Sequence, residues 1–198
     1  MKLLIASHNP AKVKEYKKHL SEMSVDVASL TDLGIEEESS EGEETFKENA
    51  IKKVKFYKNL TGFPAIGDDG GLMIDALGGV PGVKSRYWLG YKMSDEEMIE
   101  TVMKRMEGVP SEKRTARLVG VIALIMPNDE IYTLWAEIKG VVAENPSEKR
   151  MEGYPYRSFF YLEELGKYYV ELNEEEHKKI NHRKETLLKM KPYLQKLI

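Results

Sequence analysis

Two adjacent carboxylates, Asp68 and Asp69, stand in G-D-D-G-G at 67–71, directly after a short apolar run. In α/β sheets ligands collect at the carboxyl ends of strands, and neighbouring carboxylates repel unless a cation or hydrogen bonds offset the repulsion. Mg²⁺ takes oxygen ligands, often one or two carboxylates together with substrate phosphates. The glycines, Gly70 among them, permit close backbone approach. A second set is S-H-N-P-A-K at 7–12, where a strand end feeds a helix. Helix-start N–H groups lack helical partners and attract anions together with the helix dipole. Ser7 and Asn9 add polar contacts, and Lys12 adds a positive charge one turn in. A third is E-G-E-E-T-F-K-E-N-A-I-K-K at 41–53. Thr45, Asn49 and Lys53 recur every four residues and share one helix face. A carboxylate ahead of that helix can hold a metal while Asn49 and Lys53 face phosphate. The fourth is N-H-R at 181–183 with the aromatic stretch 154–161. Arg183 is suited to donate to a base carbonyl, and a tyrosine or phenylalanine to stack on a ring.

Each set also has an ordinary structural reading: an Asp-Gly turn, a helix cap, a solvated acidic loop before an amphipathic helix, a capped helix beside an aromatic core. Together they supply an anion site, a metal site, a second basic helix and a base pocket, which is what nucleotide hydrolysis needs. The P-loop pattern G-x-x-x-x-G-K-[ST] and the serine-hydrolase elbow G-x-S-x-G are both absent.

The elements that must position these residues follow from pattern and punctuation. Residues 2–7 read as a buried strand. Asn9 and Pro10 start a helix that runs to about Leu20. Residues 24–30 form a second strand. Helix 45–60 carries Phe46, Ala50, Val54 and Tyr57 on one stripe. Pro64–Gly67 is a short strand stopped by D-D-G-G, followed by a separate apolar stretch at 72–77 and a turn-rich loop, G-G-V-P-G. Ser94 caps a helix to about Glu107, with Met98, Val102 and Met106 on one face. Residues 115–126 and 130–143 form a long hairpin around P-N-D-E. Residues 154–162 are aromatic and partly strand. Asn181 caps the last helix, where Leu187, Leu188, Met190, Leu194 and Leu197 supply apolar contacts. The mixture predicts an α/β fold with a mixed sheet.

Bulk properties bound the rest. The 198 residues suffice for one large domain or two lobes sharing a core. A net charge of −3 gives no reason to expect a nucleic-acid polymer or a membrane as partner. Without cysteine there is no disulfide, thiolate nucleophile or cysteine-bound zinc, and the absence fits a cytoplasmic location. No apolar run reaches the ~20 residues of a membrane span, and the N-terminal strand lacks the layout of a cleavable signal.

The motifs taken in order resemble the inosine triphosphate pyrophosphatase family, which acts on ITP, dITP and XTP. S-H-N-P-A-K is similar to its opening [ST]-x-N-x-x-K. E-G-E-E-T-F-K-E-N-A resembles E-x-x-x-T-F-x-E-N-A. G-D-D-G-G-L-M-I-D-A-L-G-G-V-P-G resembles the central D-D-S-G-L-x-V-x-A-L-G-G-x-P-G, the most specific of the four. N-H-R resembles S-H-R. The resemblance spans nearly the whole chain.

It implies a single domain over 1–198, with an elongated two-lobed α/β fold, a central mixed sheet flanked by helices, and a cleft between the lobes. It also implies a homodimer and a nucleoside triphosphate substrate cleaved to monophosphate and pyrophosphate. By resemblance, Ser7, Asn9, Lys12 and Lys53 contact the triphosphate. Glu41 and Asp69 match the metal and catalytic acids with Asp68 beside them, for Mg²⁺ or alternatively Mn²⁺. His182 and Arg183 match the residues that recognise a 6-oxo purine, and Tyr154 or Tyr156 is expected to stack on the base.

The chain departs from the pattern at Gly70, where the family has serine, and at Arg157, where G-F-G-Y-D-P-x-F carries an aspartate. His177 replaces a base-contacting lysine, Asn181 a serine, and K-S-R-Y at 84–87 is one residue shorter than Y-S-A-R-Y. Most of these changes fall around the base, whereas most phosphate and metal positions match. Two alternatives to the pyrophosphatase are a nucleotide-binding protein with impaired catalysis and a Maf-like pyrophosphatase for other modified nucleotides.

Overall fold

The computed structural model describes residues 2–40, 42, 44–180 and 182–197; the side chains of Lys178 and His182 also lie outside the described part. Seven strands form one sheet in the order β2-β1-β3-β4-β5-β6-β7. They are β1 (Leu3–Ile5), β2 (Val27–Ser29), β3 (Ala65–Ile74), β4 (Thr115–Ile125), β5 (Ile131–Val142), β6 (Phe160–Leu162) and β7 (Lys167–Tyr168). The sheet is mixed, as the sequence predicts. β1 runs parallel to β2, with Leu3 opposite Val27, and to β3, with Leu4 opposite Ala65. β6 is antiparallel to both β5 and β7.

Five helices accompany it: α1 (Pro10–Ser21), α2 (Phe46–Thr61), α3 (Asp95–Arg105), α4 (Glu174–Ile180) and α5 (His182–Leu194). Their starts are written locally. The Asn9 carboxamide oxygen accepts from the N–H groups of Ala11 at 2.9 Å and Lys12 at 3.3 Å, and Pro10 occupies the first turn. Thr45 and Glu48 close a capping box on α2, and Ser94 and Glu97 close another on α3. Gly62 ends α2 in the left-handed region at φ 74°, a conformation that costs other residues strain. None of the described helices is long and apolar enough to cross a membrane.

The chain divides into two compact units, Met1–Asp69 with Gly120–Ala136 and His182–Ile198, and Gly70–Val119 with Glu137–Asn181. Each has its own core. In the first, Leu3 and Ile5 of β1, Ile66 of β3, and Ile122 and Leu124 of β4 pack against Tyr16 and Leu20 of α1 and Leu187, Met190 and Leu194 of α5. Strand side chains alternate between faces, so α1 and α5 cover one face of this part of the sheet. Opposite it, a β-carbon added to Gly67 would lie 3.1 Å from the Ala6 β-carbon and 3.4 Å from Val54 of α2. That places α2 on the other face. In the second unit, Leu72, Ile74, Ile138, Phe160 and Tyr169 pack against Met98, Ile99 and Val102 of α3.

Two expectations are corrected. D-D-G-G does not stop a strand: β3 runs unbroken from Ala65 to Ile74. Ladder bonding and cover on both faces override the turn propensity of Asp-Gly here. Leu188 is exposed rather than part of the α5 stripe, because that stripe is set by Leu187, Met190 and Leu194. Helix α4 and strand β7 had no sequence signal strong enough to be assigned. Asn181, expected to cap α5, lies outside the described residues.

Candidate active site

The middle of β3 organises the first unit's polar cluster. Because consecutive strand residues point to opposite faces, Asp68 joins Ile66 on the α1–α5 side and Asp69 joins Gly67 on the α2 side. The two carboxylates are neighbours in sequence but not twins in space, and each has its own partners. Asp68 is buried, with 3% of its surface exposed. Its Oδ2 lies 3.1 Å from Lys12 Nζ and accepts from Arg183 Nη2 at 2.8 Å. Its Oδ1 is buried with no hydrogen-bond partner. Asp69 is also buried, and its Oδ2 accepts from the Asn49 carboxamide at 3.0 Å. From the same face of α2, Lys53 donates to the Asp68 backbone carbonyl at 3.1 Å.

The Asp68 carboxyl is held well below the usual carboxylate range. Burial alone would raise it, and the charges of Arg183, Lys12 and Lys53 together outweigh that burial. Asp68 therefore stays ionised at all ordinary pH values. Glu15 joins the cluster by accepting from Arg183 Nη1, and the guanidinium lies 5.7 Å from the centre of the Tyr16 ring. Burial pushes the Tyr16 phenol well above its ordinary value, with Asp68's negative charge adding to the effect. Glu15 and Tyr16 belong to no motif in the sequence. Their signal is spacing, since Lys12, Glu15 and Tyr16 fall at i, i+3 and i+4 on one face of α1.

The structure thus brings together Lys12, Asn49, Lys53, Asp68, Asp69 and Arg183. Ser7 and Asn9 sit at the start of α1, where the Asn9 N–H donates to Ser7 Oγ at 3.2 Å. One expected feature is corrected. The first amides of α1 are not open to an anion, because Pro10 has none and those of Ala11 and Lys12 already donate to Asn9. What remains for phosphate is the Asn9 side-chain nitrogen Nδ2, which has no acceptor among the described residues, together with the helix dipole and the lysine. Arg183 is 5% exposed and its two terminal nitrogens both serve carboxylates. Glu41 lies outside the described residues, as does the side chain of His182. Gly70, half-buried, continues β3 into the second unit.

The second unit holds the aromatic segment around Tyr154–Tyr161, where the chain departs from the family pattern at Arg157. Its centre is Arg157, 7% exposed, in the short 3₁₀ turn Pro155–Ser158. The guanidinium carbon lies 3.9 Å from the centre of the Tyr154 ring and 4.9 Å from that of Tyr169. Arg157 Nη1 donates to the Met151 sulfur and to His177 Nε2, each at 3.2 Å. An arginine can only donate, so His177 accepts there with an unprotonated Nε2. Tyr156, expected to offer a ring to a base, belongs to the apolar core and packs edge-on against Phe159. The residue two before it, Tyr154, is half-buried beside the arginine.

Residues 3–193 match the sequence model of the Ham1 family. The chain belongs to the Ham1 family. A dITP/XTP pyrophosphatase of Bacillus subtilis is 38% identical over 192 residues, covering 97% of this chain and 96% of that protein. Among solved structures, a Ham1 protein from Coxiella burnetii superposes with a TM-score of 0.86 at 30% identity, covering 99% of both chains. The Staphylococcus aureus Ham1 protein gives 0.85 at 28% identity over 98% of both. The mixed sheet flanked by helices is therefore a Ham1 sheet, and the motifs around Asn9, Thr45, Asp68 and Arg183 are carried on Ham1 elements.

Proposed function

We propose that this Ham1 protein is a pyrophosphohydrolase of non-standard purine nucleoside triphosphates, such as ITP, dITP and XTP. The observation that carries the proposal is the middle of β3, where two carboxylates diverge to opposite faces beside two lysines and an arginine. Family membership and the pyrophosphatase activity named for its relatives support it. Free nucleotides in the cytoplasm are the expected substrate pool and a homodimer the expected assembly, neither a nucleic-acid polymer nor a membrane being needed.

Lys12 and Lys53 bind the β- and γ-phosphates, with Ser7 and Asn9 contributing hydrogen bonds at the start of α1. A water oxygen attacks the α-phosphorus while the bond from that phosphorus to the bridging oxygen breaks. Pyrophosphate leaves with the bond's electrons, and the lysines stabilise its growing charge. The proton of the attacking water passes to the Asp69 carboxylate and from there to solvent. With Asp69 on the metal, Asp68 is the alternative acceptor of that proton, its carboxyl held low by Arg183, Lys12 and Lys53. Its work is to fix Lys12 and to accept a hydrogen bond from water at Oδ1.

Family pyrophosphatases generally depend on a divalent metal. The donors here suit a hard cation. They are carboxylate oxygens, with Asp69 oriented by the Asn49 amide in the way outer partners orient metal ligands. No group of three metal-ligating side chains occurs among the described residues. By resemblance, Asp69 with Glu41 would hold Mg²⁺ or Mn²⁺ together with substrate oxygens. The ion supplies neutralisation of phosphate charge in the transition state.

Pyrophosphate and orthophosphate release should be measured separately over a panel of ITP, dITP, XTP, the standard nucleotides and modified pyrimidine nucleotides, with Mg²⁺ or Mn²⁺. The expected result is pyrophosphate from the 6-oxo, non-standard purines. Release only from modified pyrimidines would point to Maf-like chemistry, and binding without release to a catalytically impaired protein.

A further inference from the structure

Lys12 and Glu15 meet Asp68 and Arg183 from one face of α1, and Tyr16 continues that face. Its ring is fully buried in the first unit's core, with Leu3, Ile5, Leu187 and Met190. A phenylalanine would fill that volume without burying a hydroxyl, and a buried hydroxyl is costly unless a partner meets it. Tyr16 Oη is buried with no hydrogen-bond partner, and so is Asp68 Oδ1. The two atoms are complementary, since a phenol can donate and an ionised carboxylate only accepts. They are also neighbours. After burial, the charge of Asp68 is the largest influence holding the proton on the phenol, and the guanidinium that binds Asp68 lies 5.7 Å from the Tyr16 ring centre. Asp68 itself is held unevenly. Lys12 and Arg183 both act on Oδ2, and a carboxylate tied at one oxygen can turn about its last torsion, which is broad.

We propose that Tyr16 is a positioning residue for the reaction: its hydroxyl donates to Asp68 Oδ1 and fixes the plane of the carboxylate that holds Lys12. The inference rests on the pyrophosphatase reading above and adds a residue to it. A turn of the phenolic O–H and of the carboxylate about Cβ–Cγ closes the pair. Oδ1 has two lone pairs, so it accepts from the phenol and still accepts from water. With both of its oxygens held, Asp68 keeps Lys12 where departing pyrophosphate needs a positive charge. Tyr16 touches neither nucleotide nor metal and acts through Asp68 and Lys12.

The test is Tyr16→Phe, which keeps the buried ring and removes only the hydroxyl. Turnover of ITP and XTP is read as pyrophosphate, with Tyr16→Phe placed in the wild type and in Asp68→Asn. In the wild type kcat should fall about tenfold, short of the ~10²-fold that a full ångström of misplacement costs. KM should stay within about twofold, as expected when the lost support matters in the transition state. In Asp68→Asn the same change should cost less than about twofold, because the carboxylate it serves is gone. Proton NMR supplies a readout that needs no turnover. A phenol proton donated to a buried carboxylate exchanges slowly and lies downfield, so one such resonance should be missing in Tyr16→Phe and moved in Asp68→Asn. Unchanged kcat, a loss of equal size in both backgrounds, or no such resonance overturns the proposal and leaves the pyrophosphatase reading standing. Pyrophosphate from no nucleotide at all overturns that reading, and the role in turnover with it.

Discussion

The two units each bury a charged arginine, and they treat it in opposite ways. Arg183 is clasped by Asp68 and Glu15 beside Lys12, so charge is balanced inside the protein. Arg157 is wrapped in tyrosine, methionine and histidine with no carboxylate among the described residues. The first arrangement is complete and serves the positions of neighbouring groups. The second has no opposite charge among its described partners. The same residue type thus sits among carboxylates in one unit and among aromatic and neutral groups in the other. Burial alone does not distinguish the roles, whereas the partner list does.

The largest effect expected from breaking the first arrangement is on catalysis. Asp69→Asn keeps an oxygen acceptor for the Asn49 amide but removes the base and the metal-binding charge. Pyrophosphate release should fall by about 10²–10⁴-fold with the circular dichroism spectrum and melting temperature nearly unchanged. Retained turnover with Mg²⁺ would remove Asp69 from the mechanism. The neighbouring carboxylate predicts a different outcome, since Asp68 acts through the cations it holds.

Next in size is a matched pair of substitutions that sharpens the contrast between the arginines. Arg183→Met strips Asp68 and Glu15 of a buried partner and should cost about 3–5 kcal/mol of unfolding free energy. Arg157→Met removes an uncompensated cation while filling similar volume, and its cost should stay within about 1 kcal/mol. Acid dependence gives the sign a separate check. The Asp68 carboxyl is depressed in the folded state, so its contribution is fully present above its ordinary value near 3.8 and is lost as pH falls below that. Denaturant titrations of wild type and Asp68→Asn should therefore differ by a constant amount between pH 5 and 7 and converge below about pH 4. A gap that widens on acidification, or equal costs for the two arginine changes, would erase the distinction.

Much of this arrangement could be read before the coordinates. The caps at Asn9, Thr45 and Ser94 are local signals, and all three helices start where those residues place them. The stripe Phe46, Ala50, Val54 and Tyr57 is buried as its period requires. The course of β3 was misread because D-D-G-G carries strong turn propensity, and ladder pairing is a non-local fact that propensity does not contain. That misreading concealed the divergence of the two aspartates, which follows only once 67–71 is known to be strand. The pairing of Arg183 with Glu15 joins residues 168 positions apart, beyond the reach of spacing. On the second unit, the motif departures at Arg157 and His177 were visible, but not that the two substituted side chains touch.

The smallest effect concerns how β3 holds its two acids apart. Gly67 lies where α2 and β1 come closest to the strand. An added β-carbon would meet Ala6 Cβ at 3.1 Å, Ala6 O at 3.2 Å and Val54 Cγ1 at 3.4 Å. Its backbone is ordinary strand, so the constraint is space and not dihedral freedom. Gly67→Ala must push β3 from α2 by a few tenths of an ångström, at a cost of about 1 kcal/mol. Such a push acts on the Asn49–Asp69 contact across α2 more than on the Asp68–Arg183 pair on the other face. Turnover should therefore drop severalfold, while the acid profile assigned to Asp68 stays in place. Combining Gly67→Ala with Ala6→Gly relieves the shortest contact, that with the Ala6 β-carbon, and should recover part of both losses in a double-mutant cycle. Strict additivity of the two changes would mean that the close approach of these residues does not set the position of Asp69.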